Sequence, residues 1–199
     1  MEVKEAIRKR RSIRNFKSDQ VSKENIDQIL EAGRLAPSGT NIQPWRFIVI
    51  ESGEIRNELK EYTLDFVTEA PVIIACCVDK TSIQKRGKRI AELQEVGAFK
   101  GTKLENINPS KGGREMDEAD IKTYLNSNCV IAIEHMILQA TELNLGSCWI
   151  MMFNGEKVSD LLNLDDNLEM LALLPIGYYD EEPEQRPRLS LEDIVVDRV

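Results

Sequence analysis

The 199-residue chain has few of the residues that metal sites and disulfide frameworks require. It contains one histidine, His135, and four cysteines, none of which has Cys-x-x-Cys spacing. A zinc site needs about four such ligands at close spacing, and small secreted scaffolds are far richer in cysteine. We therefore expect no metal site, and we expect four reduced cysteines in the core. A catalytic pair of His135 with one cysteine stays open, although the simpler role for His135 is a core or interface residue.

Long apolar segments are also missing from this sequence. No uninterrupted apolar run approaches the ~20 residues of a membrane helix. The N-terminal segment, MEVKEAIRKRR, is charged where a signal peptide would be apolar. These absences disfavour both a membrane protein and a secreted domain, so a cytoplasmic location is expected. A hydrophobic content of 42% and a charged content of 30% are typical of an ordinary globular chain, and one domain over residues 1–199 is expected.

The net charge of −8 is unevenly distributed. Residues 1–17 carry seven Lys/Arg against two Glu, whereas residues 156–199 carry four basic and twelve acidic residues. Affinity for nucleic acid grows with the number of phosphates neutralised, so an acidic protein with one basic pole is a poor general nucleic-acid binder. The cluster at 8–14 fits a small anionic ligand better. Nucleic-acid binding through that cluster remains the minor alternative.

Hydrophobic periodicity and turn residues predict a chain of mixed helices and strands. The helix at 121–145 is apolar around much of its circumference, which indicates a position in a core or a subunit interface. Ser22 and Ser52 are expected to cap the helices that follow them. The predicted helices are 3–10, 22–36, 52–67, 121–145 and 156–164, and the predicted strands are 46–50, 72–78 and 169–179.

Two segments fall outside this pattern. Residues 79–120 form a charged excursion, predicted to be helical over 83–99 with a loop at 101–116. The excursion is either a decorative insertion or a lid over a site, because long loops in compact domains often bind ligands. The tail at 180–199 is acidic and lacks a core period, so it must lie on its own domain or on a neighbouring chain.

Three separated motifs carry candidate binding residues. Arg10 to Phe16, RRSIRNF, places three guanidinium groups and a hydroxyl just after a helix, where they can bind phosphate or form a solvated helix end. Ala36 to Trp45, APSGTNIQPW, offers Ser38, Asn41 and Gln43 to a planar heterocycle, unless it is only an elaborate loop. Gln185 to Arg188, QRPR, holds two arginines extended in the acidic tail.

Taken together, these motifs resemble the flavin-dependent nitroreductase family. RRSIRNF is similar to the family's flavin-phosphate motif, and APSGTNIQPW to its second flavin motif. Leu145 to Ile150, LGSCWI, resembles the segment that passes the isoalloxazine ring, and LPIGY at 174–178 with the later Arg-Pro-Arg resembles the C-terminal motif. The resemblance covers nearly the whole chain in the right order, except for residues 79–120.

The resemblance implies an α+β nitroreductase-like fold, with a central mixed or antiparallel sheet flanked by helices, in an intertwined homodimer. It implies two FMN sites at the subunit interface and a tail at 180–199 that packs on the partner chain. By motif position, the cofactor-binding residues are Arg10, Arg11, Ser12, Arg14, Pro37, Ser38, Gly39, Asn41, Gln43, Trp149, Met151, Met152, Arg186 and Arg188. Of these, the residues from Pro37 to Asn41 come from the partner chain.

The implied activity is FMN-dependent reduction of nitroaromatic, quinone or similar electron-poor acceptors by NADH or NADPH, with ping-pong hydride transfer. Because the flavin carries this chemistry, no separate catalytic side chain is expected. Met151-Met152 stands where the family often has a small residue or Glu-Gly, which predicts a narrower, more apolar wall over the ring. Two alternatives stay open: a non-catalytic FMN carrier, and a family relative that reduces enones or removes halogens.

Overall fold

The computed structural model describes residues 1–109 and 115–199. The predicted loop at 101–116 therefore lies partly outside the described residues. The elements in chain order are α1 Val3–Lys9, α2 Lys23–Arg34, a 3₁₀ turn Gly39–Asn41, β1 Trp45–Ile50, α3 Gly53–Leu59, α4 Asp65–Glu69, β2 Val72–Asp79, a 3₁₀ segment Lys80–Lys85, α5 Arg86–Glu95, α6 Glu118–Glu142, β3 Gly146–Ser147, α7 Gly155–Leu161, β4 Leu168–Gly177 and α8 Leu191–Ile194.

A four-stranded sheet lies at the centre, with its strands in the order β1-β2-β4-β3. Every adjacent pair of these strands is antiparallel, so the α+β class is confirmed in its antiparallel form. All eight residues of β2 are buried, because the strand has helices on both of its faces. This explains why the sequence of β2 is a continuous apolar run rather than an alternation of apolar and polar residues.

Alternate residues of the central strands pack into two different cores. Ile74 lies on one face with α2 and the long helix α6, whose Met136 is fully buried there. Ile73 lies on the opposite face, against α3, α4 and α7, where Val158 is fully buried. Each buried Val, Ile or Leu side chain contributes roughly 1.5–3 kcal/mol relative to exposure. The result is a three-layer arrangement of helices, sheet and helices.

The helix starts follow the predicted capping residues. Ser22 Oγ accepts a hydrogen bond from Asn25 N–H at 3.2 Å. The prediction of a single helix over 52–67 was wrong, since the structure has the two helices α3 and α4 instead. Thr63 forms an antiparallel bridge with Phe153, and Asn154 N–H donates to Tyr62 O at 2.8 Å. That backbone pairing is incompatible with a continuous helix.

The charged excursion packs on the body of the protein. Its helix α5 lies against the 3₁₀ turn at Gly39–Asn41, and Ile90 on α5 is buried. A methyl group at Gly87 would lie 3.2 Å from the carbonyl oxygen of Pro109, so the start of α5 lies close to a later part of the excursion. The excursion therefore borders the second motif.

The C-terminal tail is attached at its beginning and exposed afterwards. Residues 184–199 are all exposed.

 These exposed tail residues include the apolar Leu191 and Val196. The short helix α8, which the sequence did not predict, begins with a capping box between Ser190 and Asp193. Within the described ranges, no helix combines the length and apolar character that a membrane crossing requires.

Candidate functional site

The first motif is held at the β3 edge of the sheet. The N–H of Ile13 donates to Ser147 O at 3.0 Å, and Ser12 forms a parallel bridge with Ser147. Ile13 is itself buried, which anchors the segment between its polar neighbours. Arg14 is exposed next to it. The motif therefore presents its polar side chains from a fixed backbone.

The start of the C-terminal tail runs alongside the same motif. Lys17 N–H donates to Tyr178 O at 2.8 Å, and Lys17 forms a salt bridge with Asp180. The carboxylate Oε1 of Glu181 accepts hydrogen bonds from the backbone N–H groups of Arg14, at 2.6 Å, and Asn15, at 3.1 Å. These contacts set the direction in which the tail leaves the sheet.

Arg11 connects the tail to helix α1. Its Nη1 donates to the carbonyl oxygens of Arg8 at 2.7 Å, Lys9 at 3.1 Å and Arg10 at 2.9 Å. Its Nε donates to Pro183 O at 3.0 Å. A cation at these carbonyls is favourable because the C-terminal end of a helix carries partial negative charge. Arg11 thus closes the helix end and fixes the tail at Pro183.

A cavity of about 580 Å³ lies between the first motif and the tail. This volume is within the range typical of small-molecule sites. Six arginines and one glutamate are among its lining residues, so the cavity is strongly positive. The lining consists of Ile7, Arg8, Arg10, Arg11, Ser12, Arg14, Pro183, Glu184, Gln185, Arg186, Pro187 and Arg188.

The second motif forms a turn with unusual backbone conformations. Thr40, Asn41 and Gln43 have φ values of 50°, 53° and 47°, in the left-handed region that non-glycine residues seldom occupy. Each such residue costs of order 1 kcal/mol or more and persists only where the surroundings enforce it. The turn is therefore held by its neighbours.

One anchor of this turn is on helix α6. Gly39 N–H donates to the side-chain Oδ1 of Asn128 at 2.7 Å, and the Nδ2 of Asn128 donates to Tyr124 O at 2.7 Å. Asn128 is buried, so both of its polar groups are satisfied without solvent. A side chain at position 39 would collide with the ring of Tyr124. Only glycine fits there without displacing the side chain of Tyr124.

A second anchor lies at the start of β1. Arg46 Nη1 donates to Gln43 O at 3.2 Å and Trp45 O at 2.6 Å, while its Nη2 lies 2.7 Å from Asp79 Oδ2. Burial raises the pKa of Asp79, but the hydrogen bond from the Thr81 hydroxyl and the charge of Arg46 outweigh it, so the pKa is lowered overall. Asp79 therefore stays ionised and holds Arg46 on the turn.

The segment that resembles the ring-contacting motif presents two methionines. Met151 and Met152 are 64% and 70% exposed, unusually high for such apolar side chains. The backbone there is fixed, because Thr63 Oγ1 donates to Met152 O at 3.2 Å. Trp149 is half-buried against the core. The guanidinium carbon of Arg14 lies 5.9 Å from the centre of the Phe66 ring on α4.

The structure therefore brings together one part of the predicted site and leaves another part separate. Arg10, Arg11, Ser12, Arg14, Arg186 and Arg188 line the same cavity. The remaining predicted residues lie outside that lining: Pro37, Ser38, Gly39, Asn41, Gln43, Trp149, Met151 and Met152. Which of all these residues contact a cofactor stays a prediction.

Sequence reasoning missed two supporting residues, Asn128 and Glu181. Asn128 carried a usable signal, since it is a polar residue among the apolar positions of a core-facing helix. Glu181 carried none, because it is one of several acidic residues in the tail.

The cysteines do not form a reactive centre. Burial raises the pKa of Cys76 well above its usual value, that of Cys77 to about 11 and that of Cys129 to about 12. Burial also raises the pKa of Cys148, although Arg14 and the Ser12 hydroxyl act in the opposite direction. Thiols of this kind are poor nucleophiles at neutral pH. Across the part of the chain that the structure describes, no cluster of three or more His, Cys, Asp or Glu side chains could hold a metal ion.

Comparison with known proteins gives matches along the whole chain. The model of the Nitroreductase family matches residues 7–178. An NADH dehydrogenase of Thermus thermophilus is 30% identical over 203 residues, which cover 98% of this chain and 96% of that protein.

Solved structures share the fold. A nitroreductase family protein from Streptococcus pneumoniae is 28% identical, with a TM-score of 0.80 over 99% of this chain and 100% of that one. A protein from Exiguobacterium sibiricum, named a nitroreductase and crystallised in complex with FMN, is 25% identical, with a TM-score of 0.83 over 98% of this chain and 96% of that one.

Proposed function

Because this chain belongs to the Nitroreductase family, we propose that it is an FMN-dependent oxidoreductase that uses NADH or NADPH to reduce an electron-poor acceptor such as a nitroaromatic compound or a quinone. The observation that carries the proposal is the cavity between the first motif and the tail, with its six arginines. A related protein that was crystallised with FMN has the same fold.

The chemistry of the cavity suits a phosphate group. Guanidinium groups bind phosphate through paired, charge-assisted hydrogen bonds. Arg10 and Ser12 of the first motif line the same cavity as Arg186 and Arg188 of the tail, so the cavity offers guanidinium groups and a hydroxyl. We assign these residues to the phosphate and the adjoining ribityl chain of FMN.

Arg11 has a supporting role in this assignment. Its Nε and Nη1 already donate to carbonyl oxygens of α1 and of Pro183. It thereby fixes the tail segment that carries Arg186 and Arg188. We assign Arg14 to the pyrimidine edge of the ring, where a cation stabilises the negative charge that reduction brings.

When bound, FMN would supply the hydride chemistry between the nicotinamide and the acceptor. The protein has to hold the cofactor, keep one face open and shape what approaches that face. Met151 and Met152 are exposed beside Thr63, and we assign them to the apolar wall over the open face. Such a wall favours flat, apolar acceptors over strongly hydrated ones.

We further propose a homodimer that completes each site. Val130 and Ile131 on α6 are exposed, as is Ile7 on α1, although these residues are apolar. Exposed apolar patches of this kind are typical of protein interfaces. A second copy would supply the turn with Pro37, Ser38, Gly39, Asn41 and Gln43, which one chain does not place in the cavity.

The exposed tail fits the same dimer. Beyond Pro183, it carries Leu189, Leu191 and Val196 into solvent. Burying these side chains on a second copy would remove apolar surface from water at roughly 25 cal/mol per Å². We propose that residues 184–199 lie on the partner subunit and that residues 1–199 form one domain.

The test of cofactor binding is spectroscopic. Purified protein, incubated with FMN and then desalted, should show flavin absorbance that bleaches when NADH or NADPH is added without oxygen. The double variant Arg186→Ala/Arg188→Ala should bind FMN at least about tenfold more weakly, since each charge-assisted bond is worth about 1.5–3 kcal/mol. Lys157→Ala, at an exposed cation on α7 outside the cavity, is the control.

Each outcome decides between the candidate functions. Flavin that binds and bleaches, together with parallel lines in a two-substrate kinetic analysis, supports the oxidoreductase with ping-pong kinetics. Flavin that binds but stays oxidised supports an FMN carrier. Protein that takes up no FMN would overturn the assignment of the arginines. Sedimentation tests the dimer, because wild type should then have the mass of two chains. The variant Ile131→Glu should have a lower mass.

A further inference from the structure

The excursion carries a second concentration of positive charge that the FMN site does not use. Residues 80–114 contain nine basic and three acidic residues, in a chain whose net charge is −8. The densest part is residues 80–89, which hold five cations and no carboxylate: Lys80, Lys85, Arg86, Lys88 and Arg89. These five residues are called the α5 basic cluster below.

This cluster is close to the second motif. The helix α5 and the 3₁₀ turn at Gly39–Asn41 are packed against each other, and the cluster spans the start of α5 and the segment just before it. The other side of the turn is held by Asn128 and Tyr124 of α6. A molecule that lies on the turn therefore has α5, whose first residues belong to the α5 basic cluster, beside it.

The charge of the cluster is only partly compensated. Among the described residues, the carboxylates within salt-bridge distance of it are Asp79, 3.5 Å from Lys85 Nζ, and Glu92, 2.7 Å from Arg89 Nη1 and 3.9 Å from Lys88 Nζ. Asp79 is shared with Arg46, which lies closer. Two carboxylates therefore face five cations and Arg46 as well.

Two cations of the cluster are open to solvent and one is weakly engaged. Lys80 is exposed, and the side chain of Lys88 is 79% exposed. The Nη1 of Arg86 donates to Met116 Sδ at 3.8 Å, a weak acceptor. The cluster thus has charge and donors available for an anion.

We propose that the α5 basic cluster binds the phosphates of the reduced nicotinamide dinucleotide. The inference rests on the proposed function, in which the second motif borders the flavin and the nicotinamide has to reach the same open face. The dinucleotide carries its phosphates away from the nicotinamide, and NADPH has a further, negatively charged phosphate monoester at the adenosine end. The α5 basic cluster is the positive surface next to the turn, so it would guide and hold that end.

The inference predicts a preference for NADPH over NADH. Both share the diphosphate, but the extra phosphate of NADPH gives the cluster one more anionic group to bind. Attraction between exposed charges is also screened by salt, with a Debye length of about 10 Å at 0.1 M. KM for NADPH should therefore rise with ionic strength.

The test compares wild type with the double variant Lys80→Ala/Lys88→Ala, in the FMN-loaded protein. Both lysines are exposed, so folding should be unaffected. KM for NADPH should rise about tenfold with kcat unchanged, its dependence on salt should weaken, and KM for a neutral quinone should stay the same. Lys157→Ala on α7, also exposed and outside the cluster, is the control for the loss of a surface cation.

A binding measurement separates recognition from catalysis. Calorimetric titration with 2′,5′-ADP, which carries the phosphates but no nicotinamide, should show weaker binding to the double variant than to wild type and to Lys157→Ala. If NADPH reduces wild type, and the double variant has the same KM for NADPH and the same affinity for 2′,5′-ADP as wild type, this inference alone is overturned. Wild type that binds FMN but is reduced by neither nucleotide overturns the proposed function and this inference together. A rise in KM for an anionic acceptor only would assign the cluster to the acceptor and overturn the dinucleotide assignment.

Discussion

Asn128 holds Gly39 through a hydrogen bond of 2.7 Å that joins residues 89 positions apart in sequence. The bond fixes the first residue of a turn whose next residues, Thr40 and Asn41, have positive φ. Because Asn128 also donates to Tyr124 O, its amide is oriented by its own helix. A rigid helix thus determines the shape of a strained binding turn.

Asn128→Ala should destabilise the protein and weaken FMN binding. The substitution leaves the N–H of Gly39 without its acceptor, and an unsatisfied polar group of this kind costs about 1–3 kcal/mol. Urea unfolding should show a lower midpoint with the same slope. An FMN titration should show a higher Kd, because the turn loses part of its enforced shape.

Ser127→Ala is the matched control for that variant. Ser127 is the preceding residue of α6, it is exposed, and its hydroxyl donates to Thr123 O within the same helix. Its removal should change stability by less than about 0.5 kcal/mol. If Asn128→Ala has the same urea midpoint and the same Kd for FMN as Ser127→Ala, the turn does not depend on α6.

Gly146→Ala should lower stability because its position has no room for a methyl group. The added Cβ would lie 2.8 Å from Ile13 Cγ1 and 2.8 Å from Tyr179 Cδ1, both parts of ordered, packed segments. Overpacking of this kind costs typically about 1–3 kcal/mol. Gly53, at the start of α3, is the contrasting position, because the atom nearest to an added Cβ there is 3.9 Å away. Thermal unfolding of Gly53→Ala should show an unchanged or slightly higher Tm.

Local signals in the sequence were sufficient for most of the secondary structure. Ser22 and Ser52 cap helices as their residue types predict, and the apolar run of β2 is a buried strand. The helix predicted over 52–67 failed because its interruption comes from Thr63 pairing with Phe153, 90 residues away. No local pattern encodes such a pairing.

The binding motifs show the same difference between what local sequence predicts and what tertiary packing decides. The arginines of the first motif and the tail were recognisable as anion-binding residues, and the structure places them around one cavity. The contacts of Arg11 were not predictable, because they depend on where Pro183 meets the end of α1. Resemblance identifies residue types in order, whereas the partners of each side chain follow from the three-dimensional packing.

The four thiols should be unreactive in the folded protein. Only the thiolate attacks a disulfide reagent such as Ellman's, and burial raises the pKa of Cys77 to about 11 and of Cys129 to about 12. At pH 8 we expect slow modification without denaturant and four thiols per chain in urea. Cys148→Ser identifies the contribution of the thiol beside Ser12. Rapid modification of even one thiol in the native protein would contradict the burial of that cysteine.

Asp79 should make stability depend on pH in the acidic range. Its folded-state pKa is lowered from the ordinary value of 3.8, with Thr81 and Arg46 outweighing the effect of burial. A group whose pKa is lower in the folded state stabilises the fold above its unfolded pKa, and this stabilisation is lost as the pH falls through the folded pKa. The contribution is therefore complete above about pH 5 and fades below about pH 4.

The variant Asp79→Asn isolates this effect. It keeps the shape of the side chain but removes the charge that pairs with Arg46, so it should be less stable than wild type at pH 7, by about 1–3 kcal/mol. The difference in unfolding free energy should shrink as the pH falls below about 4, because wild-type Asp79 then becomes protonated as well. Asp27→Asn, in which an exposed carboxylate loses its salt bridge to Lys23, should differ from wild type by less than about 1 kcal/mol throughout. If Asp79→Asn were as destabilising at pH 3 as at pH 7, the charge of Asp79 would not be what holds Arg46 on the turn.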